Sequence, residues 1–291
     1  MIIVRLSGGL GNQLFQFATG RALSIRHQQP LVIDDRVFHE DRFRQFGMSL
    51  FRAKFQLPVE STDVQNILPP SRKRWAAFLK WRLTHGRRLI YLREKSLAFD
   101  STVLNTGPNS YLHGYWQSEQ YFADVAEEIR RELTLRIDPG GENPACLAQI
   151  RSGVSVSIHV RRGDYVSDPK ASRVHGTCSV QYYRNAAQEI AGRISDPLTF
   201  YVFSDDPEWT KQNLNLPFAT RYVCHNDDAH NYEDLRLMSA CDHHIVANSS
   251  FSWWGAWLGQ NPNRLVIAPK VWFIDPSRSD ASLVPASWLR I

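Results

Sequence analysis

Residues suited to handling phosphate gather in three segments of the chain. The first is Ser157 to Val166, SIHVRRGDYV, which runs apolar and β-branched and then delivers His159, Arg161, Arg162, Asp164 and Tyr165. Read as a strand ending near Val160, it sets these side chains at the C-terminal edge of a sheet, where ligands sit in open parallel α/β sheets. Strand alternation sends His159 and Arg161 to one face and Arg162 to the other. A guanidinium beside an imidazole and a carboxylate suits a phosphate, which a planar fork binds through two hydrogen bonds. The expected role of Arg162 is an internal ion pair with Asp164.

The second segment is Tyr232 to Gly259, YEDLRLMSACDHHIVANSSFSWWGAWLG. It predicts a helix with Asp234 in its first turn, a strand through His244–Ala247, and a helix opening at Asn248-Ser249-Ser250. A serine there is usually an N-cap. After a strand of a doubly wound domain, the same helix start also seats a pyrophosphate, because orphan N–H groups and the helix dipole converge on it. Trp253, Trp254 and Trp257 read as that helix's packing face. The third segment, SGGLGNQ at 7–13, joins a strand to a helix. Gly9 and Gly11 match the first two glycines of a dinucleotide fingerprint, but Leu14 occupies the third position, so a plain tight turn is an equal reading.

Other chemistries find little support. No D-x-D occurs; the acidic pairs Asp34-Asp35, Asp205-Asp206 and Asp227-Asp228 are adjacent. On a strand, His243 and His244 point to opposite faces and do not share an ion easily. There is no P-loop and no hydrolase elbow. The expectation is therefore a site without metal or cofactor, where Arg161 and the 249–251 helix start carry the charge of a departing diphosphate. Cys146, Cys178, Cys224 and Cys241 form no CxxC pair and read as reduced thiols.

The elements that position these residues follow from periodicity. Met1–Leu6, the helix from Asn12 and Leu31–Asp34 make a βαβ opening. The second half predicts strands at 154–160, 198–203, 221–224, 244–247 and 265–268. Helices at 179–192, 207–213, 232–239 and 251–258 alternate with them, a Rossmann-like pattern. DPGGENP at 138–144 is the linker candidate. The expected division is 1–150 and 151–291, two halves facing a central cleft. With 291 residues, 43% hydrophobic, the chain is large enough for two cores. A net charge of +5 suits an anionic ligand or membrane surface, and no nucleic-acid motif accompanies it. Residues 71–95 hold nine Lys or Arg and one Glu, with Trp75, Phe78, Leu79 and Leu83 on one helical face. The first reading is a solvated basic helix packed by that stripe, and the alternative is peripheral contact with a membrane. No signal peptide or spanning run is visible, so the expected location is cytoplasmic, with the inner membrane surface as the peripheral alternative.

In one order along the chain, GGLGNQLFQFATGRAL, GYWQSEQYF, IHVRRGDYV, YVFSDDPEW and SACDHHIVANSSFSWWGAWLG resemble the bacterial α-1,2-fucosyltransferases of glycosyltransferase family 11. The HxRRxD element is shared with a wider fucosyltransferase superfamily; the GNQLFQ and NSSFSWWGAWLG segments are more specific. The resemblance implies a GT-B-like α/β fold of two Rossmann-like domains, with 1–150 the acceptor-side domain and 151–291 the domain that binds the donor. It also implies inverting, metal-independent transfer of L-fucose from GDP-fucose to the 2-hydroxyl of a terminal β-galactose, in an oligosaccharide or O-antigen unit. It assigns His159 to the guanosine, Arg161 to the β-phosphate and Asp234 to the guanine N–H groups. Ser249, Ser250 and the Phe251 backbone become the diphosphate seat. Asp164 joins the donor site, and Asn12 faces the cleft toward the diphosphate or fucose. Glu119, His113 and Asp34 are candidates for a general base, with no motif to choose among them. The alternatives are a fucosyltransferase of other linkage, a non-catalytic GDP-sugar-binding protein and, on GGLGNQ alone, a nicotinamide oxidoreductase.

Overall fold

The computed structural model describes residues 1–39, 44–58, 68–70, 75–85 and 89–291. The chain divides into two compact units, Met1–Arg136 and Ile137–Ile291.

The first unit contains β1 (Ile2–Arg5), α1 (Leu10–His27), β2 (Leu31–Asp34), α2 (Trp75–His85), β3 (Ile90–Arg93), β4 (Ser110–His113) and α3 (Ala126–Glu132). Its strands pair in parallel in the order β2-β1-β4-β3. β1 and β2 carry almost wholly buried apolar runs, as parallel strands covered by helices must. α1 lies close on them: a Cβ on Gly20 would come within 3.0 Å of both Leu31 and Val4 side chains. The helix begins at Leu10, two residues earlier than its periodicity suggests. Gly9 takes the N-cap and the carbonyl of Gly9 accepts the N–H of Asn12 and Gln13, so the glycines belong to the helix start. β3 and β4 fall in a stretch where the sequence offers no clear alternation.

The second unit contains α4 (Asn143–Ile150), β5 (Val154–Val160), α5 (Gly163–Ser167), α6 (Pro169–His175), α7 (Val180–Arg193), β6 (Leu198–Ser204) and α8 (Pro207–Asn213). It continues with β7 (Ala219–Val223), α9 (Asn231–Ala240), β8 (His243–Ile245), α10 (Ser250–Trp257), β9 (Val266–Ala268) and β10 (Leu289–Arg290). The strands and helices expected from periodicity lie within two residues of these bounds. α4 starts inside the glycine-rich linker candidate, with Pro144 in its first turn. The sheet is parallel throughout, in the order β10-β9-β8-β5-β6-β7. Numbered along the unit, that is the 3-2-1-4-5-6 order of doubly wound nucleotide-binding sheets. The chain builds β5, β6 and β7 outward, then crosses back to β8 on the other side of β5. The C-terminal ends of β5 and β8 therefore flank the crevice of the topological switch point. Trp253, Trp254 and Trp257 of α10 are all buried and stack among themselves and with Trp288, so they form the packing face.

The basic helix departs from its expected packing. Phe78 stacks on Trp81 and meets Tyr91 of β3 edge-on, and Trp81 is 6% exposed. Trp75, Leu79 and Leu83 do not join them and are 73%, 50% and 78% exposed. At roughly 100° per residue, positions 75, 79 and 83 drift to the side opposite Trp81, and the ring of Tyr91 lies only on the Phe78–Trp81 side. The stripe that was to pack the helix is thus split in two. No helix among the described residues is long and apolar enough to cross a membrane.

The two faces predict opposite mutational costs. Trp81→Ala should destabilise the protein by about 3 kcal/mol or more in chemical denaturation, through the cavity left under the helix. Trp75→Ala should stay within about 0.5 kcal/mol of wild type. Equal effects would show that the assignment of the packing face is wrong.

Candidate active site

The end of β5 and the turn after it set the site of the second unit. β5 ends at Val160, and Arg162 takes the N-cap position of α5 with non-helical φ and ψ. Strand alternation stops there, and the two arginines part. Arg161 Nη2 donates to Asp164 Oδ1 at 2.6 Å, one turn on, and its Nη1 pairs with Asp205 Oδ2 at 3.0 Å. The expected Arg162–Asp164 pair does not form. Arg162 turns to the β6–α8 connection, where its Nε donates to Asp206 at 3.0 Å and its guanidinium lies 3.5 Å over the Trp209 ring.

Asp205 is the hub that the sequence reading noticed only as half of an acidic doublet. One carboxylate oxygen accepts the Arg162 backbone N–H at 2.8 Å and the other holds Arg161. A Cβ on Gly163 would lie 2.4 Å from that second oxygen, so the close approach requires glycine. A signal was present: an acidic pair directly after a buried strand stands at the ligand edge of a parallel sheet. Burial opposes the charge on Arg161, but Asp205 and Asp164 outweigh it and hold the proton above the usual arginine range. Each terminal nitrogen still carries a further N–H beyond these pairs.

His159 lies one pleat before Arg161 and is 5% exposed. Burial first, and Arg161 second, lower its pKa to about 3, so the imidazole is neutral at physiological pH, with one N–H and one lone pair. Its Nδ1 is buried without a hydrogen-bond partner, and its ring is 5.5 Å from that of Phe251 at the start of α10. That contact joins the ends of β5 and β8. At the latter, Ser249 caps α10 by accepting the Phe251 N–H at 3.3 Å, the ordinary N-cap role. Ser250 begins the helix. Asn248 braces the turn: its Nδ2 donates to the carbonyls of His175, Gly176 and Trp272, and its carbonyl accepts the Tyr165 hydroxyl. Tyr165 in turn lies 5.4 Å from the Arg161 guanidinium.

Asp234 stands in the first turn of α9, on the crossover from β7 to β8. Asn226 donates to it at 2.7 Å and exchanges hydrogen bonds with Asn143. Burial raises the Asp234 pKa, Glu233 adds to this, and the Asn226 bond offsets only part, leaving it at about 7. A half-buried carboxyl poised there can accept two donors when ionised. Among the described residues, no three His, Cys, Asp or Glu are grouped to hold a metal ion.

The remaining sequence candidates lie in the first unit. Asn12 is in the first turn of α1, where its Oδ1 accepts from Gln117 at 2.8 Å and its amide nitrogen crowds Gly8, which has φ +81°. Neighbouring amides act as staples. Gln13 ties Gly8, Gln45 and Gly47, and Gln16 ties Ser7 to Gly114. These contacts bring together the turns after β1 and β4, the switch point of that sheet. Asp34 is buried, gripped by both nitrogens of the Arg36 fork, and accepts the Tyr111 hydroxyl at 2.5 Å. Burial works to raise its pKa, but Arg36 and Tyr111 hold it below the usual carboxylate range, which makes it a weak base. His113 accepts from Arg5 at Nε2, so its neutral ring donates from Nδ1 to the Tyr91 hydroxyl and has no lone pair to offer. Glu119 opens a short 3-10 helix and is half-buried. Glu94, which the sequence reading passed over, accepts the backbone N–H of Tyr115 and Trp116 at 2.7 and 2.9 Å. It clamps a loop in which Trp116 has φ +58°, a conformation costly for a bulky residue.

The raised Asp234 pKa has a consequence for stability. An acid whose folded pKa exceeds its unfolded value is favoured in the fold when protonated. Its ionisation costs stability progressively from about pH 4 to about pH 7, and the full penalty persists above that. Asp234→Asn should therefore raise the melting temperature more at pH 8 than at pH 5. A gain independent of pH would place the carboxyl's pKa in the ordinary range.

Comparison with known proteins bears on this geometry. The family model for glycosyl transferase family 11 matches residues 1–291. An alpha-1,2-colitosyltransferase of Escherichia coli is 33% identical over 298 residues, covering 100% of this chain and 99% of that protein. The O-antigen biosynthesis glycosyltransferase WbnK of Escherichia coli is 30% identical, with 98% and 99% covered. Human galactoside alpha-(1,2)-fucosyltransferase 1 is 31% identical over 157 residues, 50% of this chain and 42% of the human protein. In fold, an arginine-to-lysine mutant of Arabidopsis thaliana FUT1 in complex with GDP superposes with a TM-score of 0.53 at 12% identity, covering 97% and 74% of the two chains. Two successive α/β units with parallel sheets, and a full-length family match, make this chain a GT-B-like glycosyltransferase that belongs to glycosyl transferase family 11.

Proposed function

We propose that the protein transfers L-fucose from GDP-β-L-fucose to the 2-hydroxyl of a terminal β-galactose, with inversion and without a metal ion. The observation that carries this reading is the crevice between β5 and β8, where Arg161, the unpartnered Nδ1 of His159 and the start of α10 converge. That is the place and chemistry for a nucleoside diphosphate. In this reading Arg161, with Asp164 orienting it, takes the β-phosphate. Ser249, Ser250 and the Phe251 N–H seat the diphosphate, His159 meets the guanosine as a neutral imidazole, and Asp234 accepts the guanine N–H groups. Asn12 is assigned to the donor's diphosphate or fucose. The α-1,2 linkage and the O-antigen context are supported by the names of the full-length relatives.

Transfer breaks the bond between the sugar's C1 and the β-phosphate oxygen while the acceptor oxygen attacks the opposite face. Negative charge gathers on GDP as the sugar becomes oxocarbenium-like. Arg161 then binds the transition state more tightly than the substrate, which is what accelerates the step. Of the three candidate bases, Asp34 is held by Arg36 and Tyr111 and His113 by Arg5 and Tyr91, and we assign the base role to Glu119.

A second reading concerns the donor sugar alone. The full-length relative named for colitose makes GDP-colitose a competing donor. Colitose is fucose without the 3-hydroxyl, and a site that hydrogen-bonds that hydroxyl discriminates strongly against its loss.

The test is GDP release, with EDTA present, from GDP-fucose and GDP-colitose against a panel of galactosides, followed by linkage analysis. Turnover with GDP-fucose and an α-1,2 product is expected; preference for GDP-colitose selects the second reading, and loss of turnover on chelation rejects metal independence. Arg161→Ala should lower kcat by roughly 100-fold or more, and Arg161→Lys should also fail because a point charge does not reproduce the fork. Near wild-type turnover in either variant removes Arg161 from the mechanism. Glu119→Gln should lower kcat/KM by about 100-fold. An unchanged value would mean that a dissociative transfer proceeds without base assistance.

A further inference from the structure

We infer that the exposed face of α2 docks the protein on an anionic membrane surface. The inference is independent of which sugar is transferred.

The helix has two faces of different use. Phe78 and Trp81 face Tyr91 and are spent on the first unit's core. Trp75, Leu79 and Leu83 recur at i, i+4 and i+8 and are 73%, 50% and 78% exposed. Three large apolar side chains in one row exceed the single exposed residues that any soluble surface carries. Their flanks are cationic. At roughly 100° per residue, Arg82 projects beside Trp75 on one margin and Lys80 beyond Leu83 on the other, both exposed. In sequence, Arg72, Lys73 and Arg74 precede the helix and Arg87 and Arg88 follow it. The only acidic residue between 71 and 95 in the sequence is Glu94, and both its oxygens accept backbone N–H groups, those of Tyr115 and Trp116.

An apolar row between cationic margins is complementary to a lipid surface with negative headgroups. The row enters the headgroup–acyl boundary, Lys80 and Arg82 meet the phosphates, and tryptophan is the residue best suited to that depth. The charge argues for lipid over a second copy of this chain, because two such helices face to face would bring their cationic margins together.

The experiment uses the full chain with phosphatidylcholine vesicles, with and without phosphatidylglycerol. Co-sedimentation should occur only with the anionic vesicles, fall with added salt, and be accompanied by a blue shift of tryptophan emission. The triple variant Trp75→Ser, Leu79→Ser, Leu83→Ser should bind anionic vesicles roughly tenfold or more weakly, while keeping its melting temperature and its turnover with a soluble galactoside. Lys80→Glu with Arg82→Glu should weaken binding without altering the apolar row. Failure of the wild type to bind anionic vesicles at low salt would overturn the proposal, as would a triple variant that binds like wild type. So would a wild-type dimer in light scattering that the triple variant converts to monomer, since a second copy would then cover the row.

Discussion

A guanidinium at the mouth of a buried strand must be held by carboxylates, and that requirement organises the ligand edge of the second unit. Arg161 could not stay charged and oriented there alone. Asp164 reaches it from the first turn after the strand, and Asp205 reaches it from the neighbouring strand β6. Asp205 in turn needs Gly163 to be bare and takes the Arg162 N–H, so the arginine motif and the acidic doublet are parts of one structure. Arg162, once read as internal to the same loop, instead anchors α8 through Asp206 and Trp209. Around Arg161 and Arg162 stand three carboxylates for two guanidiniums. On the proposed reading, a diphosphate entering this crevice gains from a pre-oriented fork and from the N-terminus of α10, with no large excess of positive charge.

Burial decides the protonation states along this edge. His159 and His244 lie on adjacent strands, and burial lowers both to about 3. His244 accepts or donates at Ser157 and packs its other nitrogen against Gly259, which makes it a core residue. His159 has the same chemistry but ends one pleat nearer the crevice with Nδ1 unpartnered. The same burial moves Asp234 in the opposite sense, toward neutrality. On the proposed reading, a guanine edge would supply the donors that the fold withholds from this carboxyl.

In the first unit the corresponding edge is built from amides. Asn12, Gln13 and Gln16 occupy the first two turns of α1 and bond to the turns after β1 and β4 and to the 45–47 segment. The GNQLFQ pattern is thus a set of loop staples as well as a glycine-lined helix start. Glu94 performs the same service for Tyr115 and Trp116, and the left-handed Trp116 shows that the loop is held against its own backbone preference.

The sequence alone determined much of this protein. Its apolar runs and caps place five strands and four helices of the second unit to within two residues, because periodicity and capping are local properties, while the helices at 143–150, 163–167 and 169–175 and the strand at 289–290 are not among those it predicts. The order of strand, arginine motif and serine-capped helix marks the ligand edge, and the tryptophan run declares a packing face. What only tertiary structure decided were the partners. Which carboxylate meets Arg161 depends on β6 lying beside β5, and no local spacing encodes that. Asp34 and His113 look like free bases in sequence, yet Arg36 and Tyr111 hold the carboxylate, Arg5 takes the lone pair of His113 and Tyr91 accepts its N–H. The row on α2 reads as a packing stripe until the position of Tyr91 shows which side of the helix has a core to meet. Periodicity says that a face is apolar; only the fold says what stands opposite it.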